Sequence, residues 1–268
     1  MHPMLNTAIS AARASGNVIR RSFSRVDELT IITKAANDFV SEVDRKAEEE
    51  ILSIIRKAYP DHAFLAEESG QRESRNSSPY RWIIDPLDGT TNFLHGFPQF
   101  AVSIGLMKGE QMEVAVVYNP ISEELFTASR GDGAQLNSRR IRVTSRRSLQ
   151  GALLGTGFPF KEQQHLDTYL ATFKALFPDV AGIRRPGSAA LDLAFVAAGR
   201  LDGFWEIALN PWDIAAGVLL IREAGGSIGD FSGGDQFFTT GNVVAGNPKV
   251  FAAIVETIAP HLSPELKR

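Results

Sequence analysis

Trp82-Ile83-Ile84-Asp85-Pro86-Leu87-Asp88-Gly89-Thr90-Thr91-Asn92-Phe93 is the stretch on which the reading of this chain turns. Its apolar start, Trp82 to Ile84, has the character of the end of a buried strand. Pro86 lacks a backbone donor, so the strand is predicted to stop there. Two carboxylates, Asp85 and Asp88, follow at that end. Gly89 permits a tight backbone, and Thr90 or Thr91 is predicted to cap a following helix whose first N–H groups face an anion. The stretch therefore sets acid oxygens suited to a hard cation beside a cradle suited to phosphate. A simple turn also uses Asp-Gly and Pro, so the wider chain has to decide.

Upstream, Leu5, Ala8, Ile9, Ala12, Ile19 and Phe23 recur at helical spacing and predict a helix over 4–23, with Gly16 its weak spot. Residues 29–33 suggest a strand, followed by a loop from Lys34 to Asp38. A second helix is predicted from Ser41 to Ala58, capped by Ser41 or Asp38, with Asp44 in its first turn, where an acid also suits the helix dipole. Ala63–Ala66 form a short apolar strand ending in Glu67-Glu68-Ser69, the same strand-then-acid arrangement as at Asp85. Residues 71–79 are polar and suggest a loop.

Downstream, 100–107 and 113–118 predict a hairpin and 124–129 another strand, with turns at Gly131–Gly133 and Asn137–Ser138. Further strands are expected at 152–156, 202–207, 227–231 and 242–245, and helices at 164–176, 188–199, from Pro211 to Gly225, and from Pro248. Glu206 lies just past Trp205, and Asp213 opens an apolar helix at Pro211-Trp212-Asp213-Ile214-Ala215-Ala216-Gly217. Gly187-Ser188 offers a second helix N-terminus suited to an anion or hydroxyl. A change of lobe is placed between an N-terminal unit, 1–147, and a C-terminal unit, 148–268.

The chain has 268 residues, of which 44% are hydrophobic and 22% charged, the balance of a globular protein with a sizeable core. A formal net charge of −3 gives no global drive toward nucleic acid or anionic membrane. With no cysteine, thiolate catalysis, disulfides and cysteine-held zinc are excluded. The sequence shows no signal-peptide pattern and no apolar run of membrane-spanning length, so a cytoplasmic protein is expected. The arginines from Arg139 to Arg147 form a local basic patch, which most often is a solvated face.

Glu67, Asp85, Asp88 and Asp213 are thus four acids at the ends of apolar elements. Carboxylates do not crowd together at neutral pH without cations or shifted pKa values. All-oxygen ligands select hard cations, magnesium first, which usually completes its shell with water and substrate phosphate. There is no Walker A, GxGxxG, HExxH or GxSxG pattern. Metal-assisted hydrolysis of a phosphate ester fits best.

These residues also carry a resemblance. Asp85-Pro86-Leu87-Asp88-Gly89-Thr90 resembles the D-P-[ILV]-D-G-[ST] signature of the inositol monophosphatase family. Ala66-Glu67-Glu68-Ser69 resembles its G-E-E-S motif with alanine for glycine, and Trp212 to Gly217 its W-D-x-A-A-G motif. Order and spacing match, over essentially the whole chain. The resemblance implies an α+β fold, a layered αβαβα sandwich shared with the fructose bisphosphatases. It also implies a homodimer and a magnesium-dependent, lithium-sensitive phosphatase that hydrolyses inositol monophosphates, with two to three Mg2+ ions per site. Glu67, Asp85 and the Leu87 carbonyl would hold one ion. Asp85, Asp88 and Asp213 would hold a second, and a third would lean on Glu67. Thr90 with Asp44 would orient the attacking water, and the Gly89 and Thr90 amides would hold the phosphate. Asp88, Ala189, Glu206 and Asp213 would face the inositol hydroxyls, and Lys34 matches a lysine near the metals.

Two other readings compete. One is a sibling phosphatase acting on another sugar phosphate or a 3′-phosphonucleotide. The other is a binding factor, because bacterial members of this type also act in transcription antitermination. For that role the net charge favours a transcription-machinery protein partner over strong direct nucleic-acid binding.

Overall fold

The computed structural model describes residues 2–26, 31–35 and 38–267. Its elements run α1 (Pro3–Phe23), β1 (Ile31–Ala35), β2 (Asp38–Ser41), α2 (Glu42–Ala58), β3 (Ala63–Ala66), β4 (Gly70–Arg72), β5 (Tyr80–Asp88), α3 (Thr90–Leu94), β6 (Ala101–Lys108), β7 (Gln111–Asn119), β8 (Glu124–Ser129), β9 (Gly133–Leu136) and β10 (Arg139–Arg140). They continue through β11 (Leu153–Thr156), α4 (Leu166–Leu176), β12 (Gly182–Arg184), α5 (Ala189–Ala197), β13 (Gly203–Glu206), α6 (Pro211–Glu223), β14 (Ser227–Gly229), α7 (Phe237–Thr240), β15 (Val243–Gly246) and α8 (Pro248–Ile258). Strands β3 to β10 make an eight-stranded sheet in the order β10-β9-β8-β7-β6-β5-β3-β4, and a five-stranded sheet has the order β12-β11-β13-β15-β14.

Three apolar clusters show the layering. The first joins α1 and α2 to one face of the large sheet through Ile19, Ile51, Trp82, Ile84 and Ile104. The second fills the space between the sheets with α5 and α6. The third packs α4 and α8 on the outer face of the small sheet. The order is helix, sheet, helix, sheet, helix, the αβαβα sandwich the sequence implied. Alternation along β5 explains its two-sided burial: Trp82 and Ile84 face the outer helices, and Ile83 faces the middle layer.

Small residues bring the layers close enough to build a site. A Cβ on Gly105 of β6 would lie 3.0 Å from the Ala215 Cβ, so α6 seats directly on β6. A Cβ on Gly217 would come within 2.5 Å of the Leu193 side chain, so Leu193 of α5 packs directly on the α6 backbone. Gly16, a weak point on propensity alone, is buried in α1, where a Cβ would meet the Tyr118 ring at 2.6 Å.

Several local expectations change. Pro86 does not end β5; it occupies an irregularity in the β5–β6 ladder, where Asp85 pairs with Ser103 and Asp88 with Ala101. The missing proline donor is tolerated because the bulge breaks the ladder there. Thr90 and Thr91 do not cap α3: Gly89 holds the N-cap position at φ +97°, and α3 has no side-chain cap. The expected loop from Lys34 to Asp38 is instead largely a hairpin, because Asp38–Ser41 pairs antiparallel with Ile31–Ala35. Residues 29, 30, 36 and 37 of those two expectations, and the Lys34 side chain, lie outside the described residues. The polar stretch 71–79 contributes β4, held by pairing with β3. Strands β9, β10 and β12 carry too few apolar residues to be read from pattern, and ladder pairing alone makes them strands.

Candidate active site

The bulge at Pro86 is the local device on which the site depends. Asp85 and Asp88 are three residues apart, which in a regular strand places them on opposite faces. Opposite them, Ser103 and Ala101 are two apart and share one face. One extra residue in β5 therefore turns both carboxylates to the middle-layer side. The parallel pairing of β3 with β5 sets Ala66 beside Ile84, so Glu67 emerges next to Asp85, and its amide donates to the Ile84 carbonyl at 3.1 Å. From α2, Glu48 fixes this loop by accepting from the amides of Glu68 and Ser69, both at 2.9 Å.

Asp213 arrives from the opposite side, on the first turn of α6. One of its oxygens accepts from the Asn210 amide at 2.7 Å, the closing bond of a capping box. The Ser103 hydroxyl donates to the Trp212 carbonyl at 3.3 Å and holds the helix start against β6. Carboxylate oxygens of Asp85, Asp88 and Asp213 then lie within 4.8 Å of one another, which among the described residues is the set able to hold a metal ion. Glu67 lines the same cavity without belonging to that tightest set.

The electrostatics follow from the crowding. Burial, then the charges of Glu67, Asp88 and Asp213, push the Asp85 carboxyl well above the usual range. Burial raises Asp88 to about 6, opposed by donors from Ser188 and Ala190. Burial and then the Asp88 charge raise Asp213 to about 8. Three acids raised together lack positive charge between them, and their donor atoms are all oxygen. The residues therefore fit a hard divalent cation.

Asp44 likewise serves two ends. Its Oδ2 accepts from the Ser41 amide at 2.7 Å and the Ser41 hydroxyl at 2.6 Å, closing the capping box of α2. Its Oδ1 accepts from the Thr90 hydroxyl at 2.9 Å. Thr90 also lies 3.1 Å from the Leu87 carbonyl, but its single proton is best spent on the shorter, charge-assisted bond. Asp44 is buried, and desolvation raises its pKa against these hydrogen bonds. Leu87 returns its amide to the Asp85 carboxylate at 2.9 Å, which holds the bulge closed on Asp85.

Asp88 joins the large sheet to the middle layer. Its Oδ2 accepts from the Ser188 hydroxyl at 2.5 Å and from the Ala190 amide at 2.7 Å. Ala189 is the first residue of α5 and lines the cavity. Asn92 donates from its side chain to the Gln99 carbonyl at 2.7 Å and the Pro186 carbonyl at 2.8 Å, locking α3 to the loop before α5. A Cβ on Gly89 would lie 2.9 Å from the Gln99 carbonyl, so glycine is required there for space as well as for its φ.

Glu67, Asp85, Asp88, Thr90, Ser188 and Asp213 line one cavity of about 380 Å3, with Asp44 behind Thr90. The cavity also holds Glu206, whose pKa burial and then the Asp213 charge push up to about 8. Three residues there escape sequence reading: Lys161, Arg185 and Asp192. Lys161 follows the aromatic loop 157–160, and its charge acts on Asp88 and Asp213. The Arg185 guanidinium lies 5.0 Å from the Phe160 ring centroid and 5.7 Å from that of Phe158. Asp192 interrupts an otherwise apolar helix, the one signal that marked it in the sequence.

Residues 1–263 match the model of the inositol monophosphatase family. The chain belongs to the inositol monophosphatase family. It is 56% identical to Nus factor SuhB of Pseudomonas aeruginosa, the alignment covering 100% of both chains. The structure is similar to that of the extragenic suppressor protein SuhB of Bartonella henselae, with a TM-score of 0.93, 46% identity, and 96% and 98% of the two chains covered. Against the inositol monophosphatase of Anabaena the TM-score is 0.85 at 38% identity, with 97% and 96% covered. The fold is thus that of a phosphatase family, and its bacterial relatives include proteins named Nus factor SuhB. Among the described residues, no helix is long and apolar enough to cross a membrane.

Proposed function

We propose that this chain is a magnesium-dependent phosphomonoesterase that hydrolyses inositol monophosphates to inositol and phosphate. The observation that carries the reading is the meeting of Asp85, Asp88 and Asp213 within 4.8 Å, beside the Thr90–Asp44 pair. Asp85, Asp88 and Asp213 would hold one Mg2+, and Glu67, Asp85 and the Leu87 carbonyl another, with a weaker third at Glu67. The bound cations would supply an activated water and charge stabilisation for the leaving alkoxide.

The protein's own groups do the positioning. Thr90 directs its proton to Asp44, which leaves its oxygen lone pairs to accept from a water and aim it at phosphorus. Phosphoryl transfer depends on such placement more than on covalent help. The Gly89 and Thr90 amides, at the N-terminus of α3, would hold phosphate oxygens. Lys161 adds positive charge on the same cavity. Asp88, Ala189, Glu206 and Asp213 would face the hydroxyls of the alcohol. The reading is tested by turnover of inositol 1-phosphate: none in EDTA, recovery with magnesium, and inhibition by lithium. Full activity after chelation and dialysis would overturn it. A panel including a hexose bisphosphate and a 3′-phosphonucleotide tests the substrate class.

The Nus factor name carried by a 56% identical relative favours a second role, a cytoplasmic partner in transcription antitermination. With a net charge of −3, the expected partner is a protein of the transcription machinery rather than bare RNA. Nuclease-resistant capture of transcription proteins from a lysate supports it; capture lost on nuclease treatment refutes it. The family resemblance also leads us to infer a homodimer, which sedimentation tests.

A further inference from the structure

Asn92 gathers carbonyls from two separate stretches of chain. Its side-chain nitrogen lies 2.7 Å from the Gln99 carbonyl, 2.8 Å from that of Pro186 and 3.2 Å from that of Gly187. Carbonyls only accept, so the NH2 end of the amide is the one that must face them. Gly187 permits the approach: it stands at φ +91°, and a Cβ on it would lie 3.0 Å from the Asn92 nitrogen.

The loop that Asn92 holds leads straight to the acid cluster. Ser188 follows Gly187, is 1% exposed, and donates its hydroxyl to Asp88 Oδ2 at 2.5 Å. The same oxygen accepts from the Ala190 amide at 2.7 Å. On the backbone side of Asp88, Gly89 packs against two of the carbonyls that Asn92 binds. A Cβ on Gly89 would lie 2.9 Å from the Gln99 oxygen and 3.2 Å from the Gly187 oxygen. Asp88-Gly89 is therefore anchored at its carboxylate and at its backbone, and both anchors run back to Asn92. Asp88 in turn meets Asp85 and Asp213 within 4.8 Å, where like charges push it away unless it is held.

We propose that Asn92 is a positioning residue for the cation site: by binding the Pro186 and Gly187 carbonyls it keeps the Ser188 hydroxyl on Asp88, and so keeps the Asp88 carboxylate where it meets Asp85 and Asp213. The inference rests on the metal-dependent phosphomonoesterase reading. Groups that orient a metal ligand without touching the metal set its affinity, and losing one costs roughly 10- to 100-fold.

The test titrates Mg2+ into the cation-free protein by calorimetry, in wild type, Asn92→Ala, Asn92→Leu, Ser188→Ala and the Asn92→Ala, Ser188→Ala double variant. An unfolded fraction lowers the stoichiometry of such a titration and leaves the affinity of the folded fraction unchanged, so a merely structural role does not move the affinity. Asn92→Ala should weaken Mg2+ binding by about tenfold or more. Asn92→Leu fills the same space without a donor and should weaken it as much. Ser188→Ala should also weaken it, and the double variant should lose less than the product of the two single losses, because both act on the same oxygen of Asp88. An affinity within about threefold of wild type in Asn92→Ala or Asn92→Leu, or losses that multiply in the double variant, overturns the proposal. If an Asn92 variant does not fold by its melting curve, Asn92→Ser takes its place with the same criterion. Wild type that binds no Mg2+ and hydrolyses no phosphate ester overturns the phosphomonoesterase reading, and this inference falls with it. Wild type that binds Mg2+ with an affinity indifferent to residue 92 overturns this inference alone.

Discussion

Replacing Asp88 with Asn removes one charge from a crowded site while keeping its shape. The Asn carbonyl oxygen can still accept from the Ser188 hydroxyl and the Ala190 amide. The folded-state pKa of Asp88 stands at about 6 against an ordinary 3.8. At about 1.4 kcal/mol per unit this corresponds to roughly 3 kcal/mol of strain in the cation-free protein at pH 8. Relaxation around the cluster reduces it, so about 1–3 kcal/mol is expected on neutralisation, or a Tm higher by roughly 2–6 °C for a chain of this size. The gain should fade as pH falls below about 6 and vanish only below 3.8, where Asp88 is protonated in both the folded and unfolded wild type. Magnesium should then stabilise the wild type more than the variant, since the native state alone presents the ligands. Turnover should fall by roughly 10²-fold or more, because charge in the transition state loses its closest balance. Melting curves at pH 5 and pH 8 in EDTA and in magnesium, with initial rates, measure all of this. A cation-free variant that melts several degrees below wild type at pH 8, or near-normal turnover, would refute the reasoning.

The same electrostatics predict a pH dependence of the cation-free wild type. Asp88, Asp213 and Glu206 are raised to about 6, 8 and 8, so the folded state holds protons the unfolded chain has lost. Stability in EDTA should therefore fall as pH rises from about 5 to 8.5, and saturating magnesium should flatten the decline; a Tm rising over that window would contradict it. Thr90→Ser should keep most of the turnover, while Thr90→Val should lose roughly 10²-fold or more and leave the Asp44 Oδ1 without its donor; rates within a few-fold of wild type in the Val variant would remove Thr90 from the mechanism. Gly16→Ala should destabilise by about 1–3 kcal/mol despite the better helix propensity of alanine, because the added methyl meets Tyr118; denaturant titration that shows a gain would mean the α1–β7 contact yields freely.

Much of this protein was legible in its sequence because the relevant signals are local. Helical spacing located α1 and α2, start and stop residues located α6, and apolar or alternating runs located β5 to β8, since each element buries one face or both and writes that into its pattern. The acids at the ends of apolar runs, with Gly89 and Thr90 between them, announced an oxygen-rich site, and the motif order named a family. The weaker strands β4, β9, β10 and β12 were hidden because their partners in the ladders, not their own residues, make them strands. Only the tertiary structure decided which acids meet, and how. The bulge that turns Asp85 and Asp88 to one face depends on pairing with Ser103 and Ala101, and Asp213 reaches them because Gly105 lets α6 settle onto β6. Asp44 and Asp213 read in sequence as first-turn acids that suit a helix dipole; the structure makes each the N3 member of a capping box and gives each a second use by seating its helix start beside Thr90 or at the cavity. Asp192 shows the same limit from the other side. Its residue type was visible in an apolar run, but its burial in the wall of the cavity, with an oxygen left over, exists only once two sheets and two helices have closed around it.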